Sequence, residues 1–281
     1  MPESVSIVAH GYSAQIKIKG AELVSFYCLD NNQNWMWKGE SWPNSAPILF
    51  PIVGNLVDGM YRYNGKRYAL NRHGFARNKL FHITERTEEK VTLQLCSSNE
   101  TREQYPFDFV LEVTFSLQPR GLEVSYKISN SGREAMWFSI GSHPGLEIGR
   151  NAVVKFEFVS QPFIGNKGFT SLTEQANISI LDKKIVLEQW DFSNGPLYFT
   201  DLPAQSIVLE DQTFGMRVIE IDDSPFFALW KLKGENFICL EPWQGITSSG
   251  EEESLPEKRG MIRLEADNQF NTYYRLLTTV S

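Results

Sequence analysis

A glutamate near the C-terminal end of the chain stands in an unusual sequence context. Glu241 follows the apolar run Ile238–Leu240 and precedes Pro242 and Trp243. A carboxylate at the end of a buried strand is unfavourable unless a partner compensates its charge or the protein uses it chemically. Two interpretations stay open, a carboxylate that forms a salt bridge at a sheet edge and a catalytic acid or base.

Two histidine segments carry the other side chains that could do chemistry. In Asn71–Arg77, His73 lies between two arginines and precedes Gly74, whose freedom lets the backbone bend sharply and present the ring. In Ser139–Gly145, small residues surround His143, and the proline after it excludes a helix there. Simpler interpretations are a solvated polar loop for the first segment and a hydrogen-bonded histidine in a tight turn for the second.

Taken together, Glu241 and His143 could supply a base and an acid, because each ends an apolar strand-like run and each precedes a proline. The chain is also rich in aromatic residues, with 7 Trp, 10 Tyr and 19 Phe. Aromatic rings suit a carbohydrate site, since the C–H faces of a sugar stack on them while its hydroxyls meet charged groups. Most of these rings will form the core, and the candidates for a site are the tryptophans near the motifs, Trp37, Trp42, Trp230 and Trp243.

The elements that must position these residues are strands. Apolar and polar residues alternate with a period of two over Val91–Leu95, Leu111–Leu117 and Leu122–Ile128, and turn signals separate these segments. No segment shows a sustained apolar period of 3.6 residues. Further strands are predicted at Ser4–Ala9, Gln15–Ile18, Val153–Phe158, Ile207–Leu209, Met216–Ile221, Phe227–Leu232 and Tyr273–Thr278. The sequence therefore predicts an all-β protein with few short helices, a large antiparallel β-sandwich in one domain over residues 1–281.

Composition argues against several classes of partner and location. The net charge of −7 disfavours nucleic acid and anionic membranes, because both require a basic protein surface. No apolar run approaches the ~18 residues of a membrane span, and the N-terminal segment lacks the pattern of a secretory signal. Three widely spaced cysteines, Cys28, Cys96 and Cys239, are expected to be reduced thiols in a cytoplasmic protein.

The motifs that hold nucleotides or metals are missing from the sequence. It contains no glycine-rich dinucleotide fingerprint, no phosphate loop and no GxSxG elbow. The four histidines, His10, His73, His82 and His143, have neither HxH nor HExxH spacing. We therefore expect neither a cofactor nor a metal, and chemistry carried by side chains alone.

An ordered set of motifs resembles the aldose 1-epimerase (galactose mutarotase) superfamily, and within it the LacX-like branch. No single motif is decisive, but the set follows the family's order and is specific as a whole. The matching segments are Pro47–Gly54 (PILFPIVG), His73–Arg77 (HGFAR), Tyr105–Phe107 (YPF), Gly141–Gly145 (GSHPG), Ala228–Trp230 (ALW) and Leu240–Trp243 (LEPW).

This resemblance implies a large antiparallel β-supersandwich that binds a sugar in an open cleft. It also implies that Glu241 is the catalytic base and His143 the catalytic acid, while His73, Arg77 and Trp230 contact the sugar. In the implied reaction the two groups open the ring of an aldohexose, and the ring recloses as the other anomer. The two ionisation states must be opposed, and we expect the nearby carboxylate to keep His143 protonated.

Two departures from the family pattern bear on the substrate. Many relatives carry an arginine after the glycine of the PIVG segment, where this chain has Asn55, so one contact to a sugar hydroxyl or a substrate anion is expected to be weaker. The acidic residue that contacts the sugar in relatives has no clear equivalent in Asp191–Pro196 or at Asp201.

The expected partner is a small sugar, and alternatives to a plain aldose epimerase stay open. Because Arg72, Arg77 and Lys79 cluster in the sequence, a hexose-6-phosphate 1-epimerase is one alternative. A non-catalytic sugar-binding relative that has kept the cleft is another. The family includes monomers and homodimers, and nothing in this sequence chooses between them.

Overall fold

The computed structural model describes residues 3–157, 162–166, 169–175, 183–200, 206–248 and 253–278. Strands dominate these residues. The first half of the chain contains β1 (Ser4–Ala9), β2 (Tyr12–Lys17), β3 (Glu22–Cys28), β4 (Gln33–Asn34), β5 (Ile48–Leu49), β6 (Met60–Tyr63), β7 (Lys66–Ala69), β8 (His82–Arg86), β9 (Lys90–Cys96), β10 (Phe109–Gln118), β11 (Gly121–Asn130) and β12 (Met136–Phe138). The second half contains β13 (Gly141–Ser142), β14 (Gly145–Glu147), β15 (Val153–Phe156), β16 (Phe163–Asn166), β17 (Phe169–Gln175), β18 (Lys184–Val186), β19 (Leu197–Thr200), β20 (Ser206–Asp211), β21 (Gly215–Ile221), β22 (Phe226–Trp230), β23 (Phe237–Trp243), β24 (Ile262–Leu264) and β25 (Gln269–Thr278).

Helices are few and short. The α-helix α1 (Asn99–Gln104) begins after Ser98, whose Oγ accepts the Thr101 N–H while Thr101 Oγ1 accepts the Ser98 N–H. Single 3-10 turns cover Val57–Gly59, Ala76–Asn78, Leu187–Gln189, Phe192–Asn194 and Leu255–Glu257. Among the described residues, no helix has the length and apolarity that crossing a membrane requires.

Two large sheets form the body of the fold, which confirms the predicted all-β class. The nine-stranded sheet has the order β18-β15-β20-β21-β25-β11-β10-β9-β8. The eight-stranded sheet runs β17-β16-β19-β22-β23-β13-β5, and β14 also pairs with β23. Strands β1 to β4 form a third sheet, and β6-β7 and β12-β24 are two-stranded ribbons. The pairings between these described strands are antiparallel.

The sequence pattern explains the centre of the nine-stranded sheet. In β10 and β11 the apolar positions are buried and the polar positions between them are only partly buried, as a period of two requires. The predicted strand Ser4–Ala9 has these bounds in the structure, whereas the one predicted from Gln15 begins at Tyr12 and the one predicted to end at Leu232 ends at Trp230. Two residues named in the sequence analysis, Phe158 and Asp201, lie outside the described residues.

Two apolar clusters meet along β23. Ile238 and Leu240 belong to the main core between the sheets. On the opposite face, Trp243 belongs to a smaller cluster that we call the cleft cluster, formed by Leu49, Val53, Tyr198, Phe226, Ala228, Trp243 and Ile246. All seven residues of β23 are buried. Glu241 therefore lies in a strand whose two faces pack against different apolar surroundings.

Candidate active site

Glu241 lies in the interior of a sheet. Its strand, β23, is flanked by β22 on one side and by β13 and β14 on the other, so the interpretation as a carboxylate at a sheet edge is wrong. Because side chains alternate along a strand, Cys239, Glu241 and Trp243 share the face opposite Ile238 and Leu240. The Glu241 side chain is 1% exposed. A carboxyl group this deeply buried requires a specific partner or a chemical use.

Strand register brings His143 level with Glu241. Gly141 of β13 pairs with Trp243, and Gly145 of β14 pairs with Cys239, so the residue midway between the two glycines faces the residue midway along β23. His143 Nε2 lies 3.1 Å from Glu241 Oε2. We call these two residues the acid–base pair. The structure thus brings together two side chains that are 98 positions apart in the sequence.

The polar atoms of the acid–base pair are poorly satisfied. Within the part of the chain that the structure describes, His143 Nδ1 and Glu241 Oε2 have no hydrogen-bond partner, although both are buried. The 3.1 Å approach of the two side chains is close, but its angles are not those of a hydrogen bond. Buried polar atoms are almost always hydrogen-bonded, and exceptions concentrate at sites with a redox, catalytic or ligand-binding role.

Burial acts on the two members of the pair in opposite directions. It raises the pKa of Glu241 well above its usual range, against the opposing field of Arg72. Burial, together with the positive charges of Arg72 and Arg77, lowers the pKa of His143 to about 3. The expectation that the carboxylate keeps His143 protonated is therefore wrong. Loss of hydration disfavours the charged forms of both groups.

His73 is presented by a strained turn, as the sequence predicts. Its backbone is in the left-handed region (φ +64°) and Gly74 follows in the same region (φ +70°). A Cβ atom on Gly74 would lie 2.1 Å from Phe50 O, so only glycine fits there. A non-glycine residue with positive φ costs of order 1–3 kcal/mol and is found preferentially at functional sites.

Backbone contacts fix the ring of His73. The His73 N–H donates to Gly54 O (2.8 Å), and the Gly54 N–H donates to His73 Nδ1 (3.0 Å). Because Nδ1 accepts, the neutral ring carries its proton on Nε2. Burial lowers the pKa of His73 well below its usual range, so the ring is neutral near pH 7. Arg72 Nε also donates toward Nε2 (3.1 Å), so an N–H group faces each ring nitrogen, and a neutral imidazole can accept from only one of them.

Aromatic rings surround the acid–base pair. The Trp42 ring is tilted over His143 (centroids 5.1 Å apart), and the Trp230 ring meets His143 edge-on at 5.7 Å. Trp243 contacts the ring of His73 (6.1 Å) on the other side. Of the four tryptophans that the sequence singles out, three therefore lie at the site. The fourth, Trp37, packs on Phe237 and donates its indole N–H to Trp42 O.

The two remaining predicted site residues lie beside this centre. Arg77 is half-buried and donates from Nη2 to Arg72 O (3.0 Å), so it supports the turn that carries Arg72 and His73. Asn55 follows Gly54, and its backbone N–H donates to Thr247 Oγ1 (2.9 Å). Lys79, the third cation of the predicted cluster, lies 2.6 Å from Glu100.

Sequence reasoning missed two residues near the pair. Tyr198 pairs with Ala228, which pairs with Glu241, so Tyr198 lies two strands away on the same face. Cys239 shares its face of β23 with Glu241. Neither residue belongs to a motif, and only the strand register reveals them. Asp191, from the segment considered for an acidic sugar contact, is exposed and accepts the Ser193 N–H.

Comparisons with known proteins identify the family of this chain. The family model described as Aldose 1-epimerase matches residues 3–250. The chain is 27% identical over 271 residues to the chromosomal protein LacX of Lactococcus lactis subsp. lactis, and the match covers 89% of this chain and 90% of LacX.

Solved structures give the same assignment. A galactose mutarotase related enzyme from Lactobacillus acidophilus superposes with a TM-score of 0.92 at 27% identity, covering 98% of this chain and 96% of that chain. A galactose mutarotase-like protein from Lactobacillus casei, at 24% identity, shares the fold with a TM-score of 0.87 over 98% of this chain and 99% of its own. The chain belongs to the aldose 1-epimerase family, in its LacX-like branch.

Proposed function

We propose that this protein is an aldose 1-epimerase that interconverts the α and β anomers of an aldohexose. The observation that carries the proposal is the buried approach of His143 Nε2 to within 3.1 Å of Glu241 Oε2. Opening a cyclic hemiacetal requires one proton to leave the anomeric hydroxyl and one to reach the ring oxygen. These two oxygens are bonded to the same carbon, so an acid and a base that lie a hydrogen-bond length apart can serve both.

The proposed steps conserve the one proton that the pair holds. Glu241 accepts the proton of the anomeric hydroxyl while His143 donates one to the ring oxygen, and the bond between the anomeric carbon and the ring oxygen breaks as the aldehyde forms. Glu241 is then protonated and His143 neutral. Rotation about the adjacent carbon–carbon bond presents the other face of the aldehyde, and the reverse transfers close the ring as the other anomer.

The pKa directions support a role in stabilising the open-chain stage. A raised pKa at Glu241 and a lowered pKa at His143 favour a protonated carboxyl and a neutral imidazole. Ring opening produces this same distribution. The shifts therefore lower the free energy of the open-chain stage relative to the ring-closed stage, in which Glu241 is ionised and His143 is protonated.

Two donors next to the pair are suited to a sugar oxygen. His73 Nε2 and Arg72 Nε lie 3.1 Å apart, and both carry hydrogen when His73 Nδ1 accepts the Gly54 N–H. A sugar oxygen that lies beside both nitrogens would accept a hydrogen bond from each and so offset the contact between the two N–H groups. The rings of Trp42 and Trp230 next to His143 supply apolar surfaces for the C–H faces of a sugar.

A hexose 6-phosphate is a second candidate substrate, and Arg72 is the observation in its favour. Arg72 is exposed beside the acid–base pair, and Arg77 holds its backbone carbonyl. Arginine suits phosphate because its planar guanidinium binds two oxygens at once. Lys79 adds less than its position suggests, since its ammonium group pairs with Glu100.

An NMR experiment that follows exchange between anomers tests the proposal. Magnetisation transfer between the two anomeric protons is measured for glucose, galactose and their 6-phosphates, with and without the protein. We expect one of these sugars to exchange faster than it does in buffer. Binding of a sugar without faster exchange would contradict the proposal and leave a carbohydrate-binding protein. A preference for the phosphates that disappears in high salt would assign the second candidate.

A further inference from the structure

The acid–base pair has a third neighbour with a chemically reactive side chain. Cys239 lies two residues before Glu241 on the same face of β23, and its register partner Gly145 lies two residues after His143. A thiol sulfur, an imidazole nitrogen and a carboxylate oxygen from these three residues all lie within 4.8 Å of one another. All three side chains are buried. No metal motif is visible in the sequence because the three residues meet only through strand pairing.

Glu241 offers a donor atom without a present use. Its Oε2 is buried and lacks a hydrogen-bond partner in the described part of the chain. His143 Nε2 lies 3.1 Å from it, and the side chains of Glu241 and His143 are 1% and 9% exposed. A cation bound to Oε2 and Nε2 would satisfy the buried carboxylate oxygen.

The donor set and its spacing fit zinc. Zinc binds thiolate, imidazole and carboxylate at about 2.0–2.3 Å in a tetrahedron, and its reactive sites combine three protein ligands with one open position. Two bonds of about 2.1 Å at the tetrahedral angle separate their ligand atoms by about 3.4 Å. The observed separation between His143 Nε2 and Glu241 Oε2 is 3.1 Å, which requires only a small adjustment.

The charges of such a complex also balance. A thiolate and a carboxylate together neutralise a divalent cation, and the imidazole binds as the neutral form. Binding releases the thiol proton and the one proton that the acid–base pair holds. A neutral complex is the favourable outcome in a buried site, where uncompensated charge is strongly disfavoured. Arg72, whose positive charge acts on both His143 and Glu241, opposes the dication and limits its affinity.

We propose that Cys239, His143 and Glu241 form a zinc-binding site that blocks the acid–base pair when zinc occupies it. Zinc and the sugar then compete, because a ring nitrogen and a carboxylate oxygen that bind zinc cannot also exchange protons with the sugar. The binding of zinc does not depend on the proposed epimerase function, and only its inhibitory effect does. Zinc bound in this way would switch the site off reversibly.

Cobalt absorption tests the site without any sugar. Full-length protein is stripped of metal with a chelator and titrated with Co²⁺, whose complexes with thiolate show a charge-transfer band in the near ultraviolet. We expect one Co²⁺ per chain with this band and with the visible bands of tetrahedral cobalt. Added Zn²⁺ should remove both. The absence of a thiolate band in excess Co²⁺ would overturn the proposal.

The three cysteines provide matched variants. Cys239→Ser and Cys239→Ala should lose the thiolate band and weaken zinc binding by more than the ~10–100-fold that follows loss of a supporting residue at a metal site. Cys28→Ser changes a buried cysteine outside the site, and Cys96→Ser an exposed one, and both should keep the band. A band that persists in folded Cys239→Ser, with folding checked by circular dichroism, would contradict the assignment.

The inhibitory effect is measured separately. Zn²⁺ should slow anomer exchange by the wild-type protein, a chelator should restore the rate, and the ratio of rates with and without zinc should approach one in Cys239→Ser. Should Cys239→Ser and Cys239→Ala both fail to fold, Glu241→Gln supplies the test, since it should keep the thiolate band but bind zinc more weakly. Cobalt binding without anomer exchange would reject the proposed function and keep the metal site.

Discussion

Two buried pairs, each formed by a carboxyl group and a basic side chain, differ in how the carboxyl oxygens are satisfied. Arg217 and Asp211 are both 0% exposed, and Arg217 Nη2 lies 2.7 Å from Asp211 Oδ2. The other carboxylate oxygen accepts the backbone N–H groups of Thr213 (2.8 Å) and Phe214 (2.9 Å). Glu241, equally buried, has no such donors on Oε2 among the described residues. Arg217 Nε also lacks a partner among the described residues, so the difference lies in the carboxylates: both oxygens of Asp211 accept hydrogen bonds, and Oε2 of Glu241 accepts none.

The difference determines which charges persist. Burial lowers the pKa of Arg217 to about 10, while Asp211 acts in the opposite direction, so the guanidinium stays charged near pH 7. In the acid–base pair, burial moves the pKa of Glu241 up and that of His143 down. Hydrogen bonds to a buried charged group stabilise its charged form. Without them the neutral form is favoured, and a proton can move between the two side chains more easily. The first pair supports the fold, and the second is suited to move protons.

The largest effect should come from removing the carboxylate of the acid–base pair. We expect Glu241→Gln to reduce the rate of anomer exchange by about 10²–10⁴-fold, since an amide cannot accept the proton of the anomeric hydroxyl. Exchange is measured by NMR, and sugar affinity by calorimetry. Affinity should change little because the amide keeps the shape of the carboxylate. Exchange at the wild-type rate in Glu241→Gln would remove this residue from the mechanism.

The corresponding change in the other pair should affect stability and leave activity unchanged. Asp211→Asn leaves the charge of Arg217 buried and uncompensated, and breaking a buried pair in this way costs about 3–5 kcal/mol of unfolding free energy. Urea unfolding measures the loss. Asp191→Asn, which alters an exposed carboxylate, should change stability by less than about 0.5 kcal/mol. An exchange rate per folded molecule that falls with Asp211→Asn would show that the two pairs are not independent.

The dependence of stability on pH should expose the shifted pKa of His143. Its folded pKa of about 3 lies below the usual value of about 6.5 in an unfolded chain. The unfolded state therefore takes up the proton first as the pH falls, and stability is lost from about pH 6.5 downward. The raised pKa of Glu241 acts with the opposite sign, since the folded state keeps that proton and gains stability as the pH falls toward about 4.3.

Removing Glu241 should leave the contribution of His143 uncompensated. The comparison is between Glu241→Gln and the double variant Glu241→Gln/His143→Gln. When the pH falls from about 7 to about 5, we expect the unfolding free energy of the single variant to decrease by about 2 kcal/mol more than that of the double variant. Over the same range the wild-type protein should lose less stability than Glu241→Gln, because the raised pKa of Glu241 acts with the opposite sign. Thermal or urea unfolding at several pH values measures these differences. Equal slopes in all three proteins would mean that burial does not shift the pKa of His143.

The smallest effect should come from the exposed arginine next to the acid–base pair. Arg72→Met removes one donor to the sugar and one positive charge, and we expect KM to rise about tenfold with kcat nearly unchanged, because a hydrogen bond from a charged group contributes about 1.5 kcal/mol. Arg133→Met, an exposed position after β11, is the control and should leave KM unchanged. A fall in kcat equal to the rise in KM would place Arg72 in the proton-transfer step.

Sequence reasoning reached the strands and the chemistry of the site but not its electrostatics. Alternation of apolar residues predicted β10 and β11 because each strand has one buried face, and the placement of Glu241 and His143 at strand ends suggested an acid and a base. Their 3.1 Å approach depends on register between β13, β14 and β23, which no local pattern encodes. The expectation that His143 is protonated was wrong because it considered the neighbouring carboxylate but not the loss of hydration on burial, which the sequence does not reveal.

Register also explains the residues that were missed. Cys239 resembles any apolar strand residue in the sequence, and its position beside His143 follows only from its pairing with Gly145. The pair formed by Arg217 and Asp211 was also missed, although the two residues lie on adjacent strands joined by a short turn.

The position of β23 inside its sheet also sets how the halves of the site move. Glu241 is carried by a strand with neighbours on both sides, so its backbone amide should exchange hydrogen with solvent only through large-scale unfolding. Trp42 lies outside the strands and is half-buried, so we expect its segment to open at lower free energy. Entry and exit of a ligand would then depend on the segment at Trp42, while the carboxylate stays in place.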